Sequence, residues 1–245
     1  MKPADRVWIA DRLAGLSPTK PPQLVFLRRA PEGIGSAPRT LLCLSASFNP
    51  MTVAHAVLVD EGSRLVLPQE VLLLLATANV DKHGEGFPPE QRLDLLLRFA
   101  EPRPRVSVAA VYHGRFIDKL DAIQAAYPDA TRVLFLLGFD TLVRLFDAKY
   151  YDDRVASLTR LFEGSECIVA NRGENTPDVV DAFLAHPEVA PFAHRIRAMR
   201  LPMDLAAVSA TEVRDRLSRG DRVAELVPPE IQAPIAAWGR HPPRG

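Results

Sequence analysis

Leu41-Leu42-Cys43-Leu44-Ser45-Ala46-Ser47-Phe48-Asn49-Pro50-Met51-Thr52-Val53-Ala54-His55 reads as a buried strand, a short polar loop and the start of a helix. Thr52 and His55 stand three apart where the helix begins, so they share a face. A helix start presents unpaired backbone N–H groups and the positive end of its dipole, which favours an anion. Backbone donors, a hydroxyl and an imidazole around one phosphate make nucleotide chemistry the leading reading. The same residues also suit a Thr that caps a helix beside a partly buried His.

Outward from this stretch, strand and helix patterns alternate. Strands are predicted at 41–46, 71–76, 105–110, 132–137 and 166–170. They are continuous apolar runs, as a parallel sheet covered on both faces requires. Helices are predicted at 54–66, 89–100, 116–127, 153–162 and 176–185, and near the C-terminus at 210–219 and 228–238. The expected fold is α/β, a doubly wound parallel sheet with C-terminal helices. Residues 1–39 read as an N-terminal extension, with a helix over 5–16, a short strand at 24–27, and loops at 17–22 and 31–38. The main domain spans 40–240, and the tail 241–245 is expected to fray.

In such a sheet ligands bind beyond the carboxyl ends of the strands. Two further groups fall there. Gly138-Phe139-Asp140 follows the fourth strand of the main domain. Gly138 permits close backbone approach, and Asp140 suits either ribose hydroxyls or a helix N-cap. Val208-Ser209-Ala210-Thr211-Glu212-Val213-Arg214 pairs Ser209 with Glu212 as a capping box. It sets the Thr211 hydroxyl and the Arg214 fork about one turn in, where a guanidinium can grip phosphate.

The chain has 245 residues, 47% of them apolar, enough for one large core. Lys+Arg and Asp+Glu both count 30, so bulk charge gives no support for nucleic-acid binding. Cys43 and Cys167 lie in apolar runs and read as buried free thiols in a reducing compartment, with a bond between neighbouring strands as the lesser reading. Residues 1–12 lack a signal-peptide core, and no run reaches membrane-spanning length. A cytoplasmic protein without membrane or nucleic-acid partners is expected.

Ser47-Phe48-Asn49-Pro50-Met51-Thr52-x-x-His55, with Val208-Ser209-x-Thr211-x-x-Arg214, resembles the signatures of the nucleotidyltransferase superfamily marked by (Thr/His)-x-x-His. The Ser-Phe-Asn-Pro loop and Gly138-x-Asp140 are most similar to nicotinamide and nicotinate mononucleotide adenylyltransferases of the fungal and eukaryotic type. The likeness covers roughly residues 40–238. It implies a Rossmann-like domain that joins ATP, with Mg²⁺, to a pyridine mononucleotide, releasing pyrophosphate and a dinucleotide such as NAD.

The resemblance implies catalytic roles for His55 and Arg214. ATP would meet Ser47, Phe48, Asn49, Thr52, His55, Gly138, Asp140, Ser209, Thr211 and Arg214. The acceptor side would include Lys82 at the mononucleotide phosphate, with Tyr150 or Tyr151 in place of a stacking Trp. Asn171 and Arg172 would line the adenine side or form an exposed turn, and His83 reads as surface. No protein metal ligands are assigned. Family members associate, so a homo-oligomer is an expectation. The chain differs from the family at Ala46 and Ala54, where glycine is usual. Nicotinamide and nicotinic acid mononucleotide both stay open as acceptors. Another small-molecule nucleotidyltransferase of pantetheine-phosphate or cytidylyl type, a weak ATPase and a nucleotide-binding protein remain alternatives.

Overall fold

The apolar run at 41–44 lies where its composition requires, in the middle of a sheet covered on both sides. A computed structural model describes residues 3–34, 39–78, 86–128, 130–171, 176–202 and 207–239. Strand β2 (Arg39–Ala46) pairs in parallel with β3 (Glu70–Ala76) on one side and β5 (Ala130–Gly138) on the other. The remaining described strands are β1 (Val25–Arg28), β4 (Val106–Val111), β6 (Glu166–Ala170) and β7 (Ile196–Met199). The order across the sheet is β1-β4-β3-β2-β5-β6-β7, with β1 antiparallel to β4. From β2 the chain steps outward through β3 to β4; from β5 it steps the opposite way to β7. Strand order therefore reverses between β2 and β5, which opens a crevice there.

The two-residue period of the strands splits the core into two layers. Leu42, Leu44, Leu73 and Leu75 face one side. Helices α1 (Pro3–Leu13), α2 (Val53–Val66) and α3 (Pro89–Ala100) cover them with Ile9, Leu58 and Phe99. Leu41, Cys43, Leu72 and Phe135 face the other side, under α4 (Phe116–Ala126), α5 (Phe139–Leu145), α6 (Arg154–Gly164) and α7 (Pro177–Leu184). Helices α8 (Ala210–Ser218) and α9 (Pro229–Gly239) return to the first layer through Val213 and Ile235. The expected α/β architecture is the one observed, with most boundaries within two residues.

Two elements escaped the sequence reading. Strand β7 is a four-residue edge with buried ends, Ile196 and Met199, around exposed Arg197 and Ala198, so it shows neither an apolar run nor alternation. Helix α5 begins directly at Phe139 with Gly138 as its N-cap, and Asp140 sits in its first turn. The N-cap reading of Asp140 is thereby corrected: β5 runs without a connecting loop into the helix, which moves the cap two residues back.

The first forty residues carry β1, the antiparallel edge strand, and Ile9, which is fully buried. Residues 30–34 are tied to the amino end of the sheet through polar groups. Buried Glu70 accepts from the Ile34 amide at 2.7 Å and from Ser107 Oγ at 2.5 Å, and Tyr127 also donates to it. Ser107 Oγ in turn accepts from the Ala30 amide at 2.8 Å.

Cys43 and Cys167 both stand in register with Phe135, on either side of it. Two inter-strand steps separate them by about 9–10 Å, beyond the ~7 Å that a disulfide spans. Both are free, and burial pushes each thiol up to about 12. Among the described residues, no helix is long and apolar enough to cross a membrane.

Candidate active site

The chain leaves β2 at Ala46 and must turn sharply to start α2 at Val53. Phe48 takes up the turn with φ of 43°, a left-handed conformation rare outside glycine. Its ring is fully buried and lies 5.2 Å from the His55 ring, centroid to centroid. The Asn49-Pro50 peptide is cis.

Thr52 is the N-cap of α2, and His55 occupies the third helical position. The His55 Nδ1 accepts from the Thr52 amide at 3.1 Å and lies 2.9 Å from Thr52 Oγ1. An amide N–H can only donate, so Nδ1 carries no proton and the ring proton is on Nε2. His55 thus plays the part that Glu plays in an ordinary capping box. The helix cap and the orientation of the imidazole are one device, and both residues are at most 9% exposed.

The third constellation reaches this loop through space. Ser209 caps α8, its Oγ accepting from the Glu212 amide at 3.1 Å. The expected reciprocal contact is replaced: the Glu212 carboxylate takes Arg216 at 2.7 Å, one turn along. Arg214 projects back, donating from Nη1 to the Asn49 carbonyl at 2.7 Å and from Nη2 to Thr211 Oγ1 at 3.2 Å.

Sequence reading missed Arg92. From α3 its Nη1 donates to the Ser47 carbonyl at 3.4 Å, and its Nε to the Phe87 carbonyl. Burial pulls its pKa down, and the nearby charge of Arg214 pulls it further, against an opposing pull from Glu90. Two guanidinium groups therefore converge on one loop, an arrangement that a bound polyanion relieves. Only the spacing of Arg92 from Pro88 and Pro89, which start α3, hinted at its place.

Gly86 completes this corner. Its φ is +94°, and a Cβ there would lie 2.4 Å from Asn49 Oδ1 and 2.8 Å from Arg214 Cδ. The next amide, of Phe87, donates to Asn49 Oδ1 at 2.8 Å. Glycine is required here both by conformation and by the closeness of two site residues.

Across the switch point lies a narrow pocket walled by Ser45, Ala46 and Ala54, by Gly138 and Thr141, and by Asn171. His55 also lines it, from α2. Ala46 and Ala54, the two departures from glycine, are therefore among the residues that line it. Asn171 is buried, not in an exposed turn: its Oδ1 accepts from the Leu201 amide at 2.7 Å and its Nδ2 donates to the Leu201 carbonyl at 3.2 Å.

Tyr150 and Tyr151 lie just before α6. The Tyr151 hydroxyl donates to the Leu145 carbonyl at 2.7 Å, and burial raises its pKa to about 12. Tyr150 is half-buried with Lys149 Nζ 4.7 Å from its ring centre. Lys82, His83 and Arg172 lie outside the described residues. Among the described residues no cluster of three His, Cys, Asp or Glu side chains is placed to hold a metal ion.

No family model matches the chain. A Schizosaccharomyces pombe protein named as a nicotinamide mononucleotide adenylyltransferase is 28% identical over 218 residues, covering 82% of this chain and 85% of its own. A Bordetella pertussis protein named as a nicotinate-nucleotide adenylyltransferase is 27% identical over 198 residues, covering 79% and 93%. Among solved structures, nicotinic acid mononucleotide adenylyltransferase of Plasmodium falciparum, complexed with NaAD, superposes with a TM-score of 0.61 at 16% identity, covering 82% and 96%. That likeness shows the fold. Along most of its length the chain is thus similar to proteins named as nicotinamide- and nicotinate-nucleotide adenylyltransferases.

Proposed function

We propose that this protein transfers the adenylyl group of ATP to a pyridine mononucleotide, nicotinamide or nicotinic acid mononucleotide, forming the dinucleotide and pyrophosphate. The observation that carries this reading is the Arg214–Asn49 hydrogen bond, which joins the Ser-x-Thr-x-x-Arg helix to the loop before His55. It assembles two separate anion-binding helix starts, of α2 and α8, into one phosphate site at the strand-order switch.

In this reaction a 5′-phosphate oxygen of the mononucleotide attacks the α-phosphorus of ATP. The bond from that phosphorus to the bridging β-phosphate oxygen breaks, and the electron pair leaves with pyrophosphate. No protein nucleophile is needed, so catalysis is positioning and charge stabilisation. The Nε2–H of His55 donates to the α/β-phosphate region as negative charge grows. Arg214, with Ser209 and Thr211 at the start of α8, holds the outer phosphates, and Arg92 adds a second guanidinium. Ser47, Phe48, Asn49 and Thr52 supply the loop and cap around the triphosphate. Gly138, Asp140 and Asn171 line the adenosine half, with Arg172 beyond. Lys82 takes the acceptor phosphate, and Tyr150 or Tyr151 borders the pyridine. Mg²⁺ would accompany ATP and neutralise charge on its phosphates, with no protein ligand assigned to it. A cytoplasmic location and a homo-oligomer belong to the same proposal, as what the resemblance implies.

The test is a product assay. Purified protein is incubated with ATP, Mg²⁺ and each mononucleotide, and dinucleotide and pyrophosphate are quantified beside His55→Ala. Dinucleotide that depends on His55 supports the reading, and the faster acceptor identifies the substrate. Release of inorganic phosphate without dinucleotide points to an ATPase. ATP binding with no product from either acceptor overturns the proposal.

A further inference from the structure

Phe87 stands between two parts of the phosphate corner. Its amide donates to Asn49 Oδ1 at 2.8 Å, and its carbonyl accepts from Arg92 Nε. The main chain of this one residue therefore holds both the loop that carries Asn49 and one of the two guanidinium groups. On its carboxyl side Pro88 and Pro89 restrict the chain into α3. On its amino side Gly86, at φ of +94°, has no side chain to pack. The anchor on that side is the Phe87 ring itself.

The ring is buried and lies 5.6 Å from the Trp238 ring, centroid to centroid, with planes at 46°. Trp238 is the penultimate residue of α9. The Arg6 guanidinium carbon, from α1, lies over that indole at 5.4 Å from its centre. A guanidinium within about 6 Å of an indole face is held by the ring quadrupole. Arg6, Trp238 and Phe87 thus form one stack that runs from the N-terminal extension to the site. Its outer end is fixed: Ile9, less than one turn after Arg6, is fully buried in the first core layer.

We infer that Arg6 and Trp238 are positioning residues for the triphosphate, which through the Phe87 ring hold Asn49 and Arg92 in the arrangement that binds ATP. The inference rests on the reaction proposed above. It gives the N-terminal extension a part in substrate binding beyond completing the sheet edge. Without the stack, residues 86 and 87 gain freedom that ATP must remove when it binds. That ordering cost is read as weaker ATP affinity. The chemical step is left alone, because His55 takes its orientation from Thr52 within α2.

The experiment compares wild type with Arg6→Ala, Arg6→Lys, Trp238→Leu and the double variant Arg6→Ala/Trp238→Leu. Leucine keeps an apolar neighbour for Phe87 and removes the aromatic face. Trp238→Leu is expected to raise the KM for ATP roughly three- to tenfold, and Arg6→Ala roughly two- to fivefold, the worth of one aromatic and one exposed cation–aromatic contact. Arg6→Lys, which keeps a cation, should stay near wild type. The double variant should match Trp238→Leu, because Arg6 acts through the indole. The value of kcat and the acceptor KM should hold throughout. A merely structural stack would instead lower the folded fraction, and with it kcat, at an unchanged KM for ATP. That result overturns the inference while the proposed reaction stands, and so does a double variant in which the two effects multiply. If the wild type makes no dinucleotide, the reaction itself fails. Calorimetry with Mg²⁺ and a non-hydrolysable ATP analogue then decides. Affinity that falls in the same order across the variants upholds the inference, and no binding, or binding that the variants leave unchanged, refutes it.

Discussion

Arg214 Nη1 donates to the main-chain carbonyl of Asn49 at 2.7 Å, closing a gap of 165 residues in sequence. The bond ends on a carbonyl and not on a side chain, so it fixes where the loop runs whatever side chain Asn49 carries. It also brings the guanidinium, whose Nη2 donates to Thr211 Oγ1, to the loop that leads into α2.

His55→Ala removes both the proposed phosphate donor and the acceptor for the Thr52 amide. Turnover should fall by roughly 10²–10³-fold, as when an oriented donor is lost from a charge-stabilising site. Stability should fall by only about 1 kcal/mol, the worth of a helix cap. Steady-state rates and urea unfolding on the same preparation check both; a folded variant with near-normal turnover removes His55 from the chemistry.

Arg92→Met separates a phosphate ligand from a structural arginine. The lowered pKa of Arg92, from burial and from Arg214, means that its charge is costly in the empty protein. Removing it should reduce kcat/KM for ATP roughly 10- to 100-fold, with the melting temperature nearly unchanged. ATP titration and thermal melts decide it: a large drop in melting temperature with an unaltered KM for ATP would make Arg92 a scaffold residue.

Leu67 caps α2 at its C-terminal end with φ of 48°, and it is 76% exposed. The left-handed conformation costs an L side chain about 1–2 kcal/mol, and no burial repays it. Leu67→Gly loses about 0.5–1 kcal/mol to added freedom of the unfolded chain. A net gain of roughly 0.5 kcal/mol is expected, visible as a higher urea midpoint at unchanged slope; a lower midpoint would show that the cap is not strained.

Lys119 is buried in α4, with its ammonium 4.3 Å from the Phe116 ring centre. Burial pulls its pKa down to about 8, from 10.5 in the unfolded chain, with Cys43 and Asp118 opposing. Between those values the unfolded chain binds a proton that the folded chain lacks, so this position favours folding more as pH rises. The burden is full below about 8. Lys119→Met should therefore stabilise the protein at pH 7 by roughly 2–3 kcal/mol, and the advantage should vanish as pH approaches 10.5. Urea unfolding of both proteins at several pH values measures the gap, and a gap that does not narrow refutes the burial account.

Much of the fold was legible because its signals are local. The continuous apolar runs of β2, β3 and β5 show burial on both faces, and Pro89 marks the start of α3. The same holds for Thr52 and Ser209, whose capping roles depend on residues three positions away. Edge strand β7 was not legible, because four residues with exposed Arg197 and Ala198 carry no period. Nor was the partner of Glu212, since an N-cap amide and Arg216 compete for one carboxylate and charge wins.

The sequence alone determined that strands and helices alternate, that the strands are buried, and that two helices begin with anion-favouring caps, because each follows from residues within one turn or one strand. Only the tertiary structure decided which ends become neighbours. The reversal of strand order between β2 and β5 sets the crevice, Arg214 and Arg92 come to one loop from separate helices, and Arg6 meets Trp238 from the other end of the chain. Those relations depend on how the layers stack over the sheet, and no local pattern encodes the distance between residues 49 and 214.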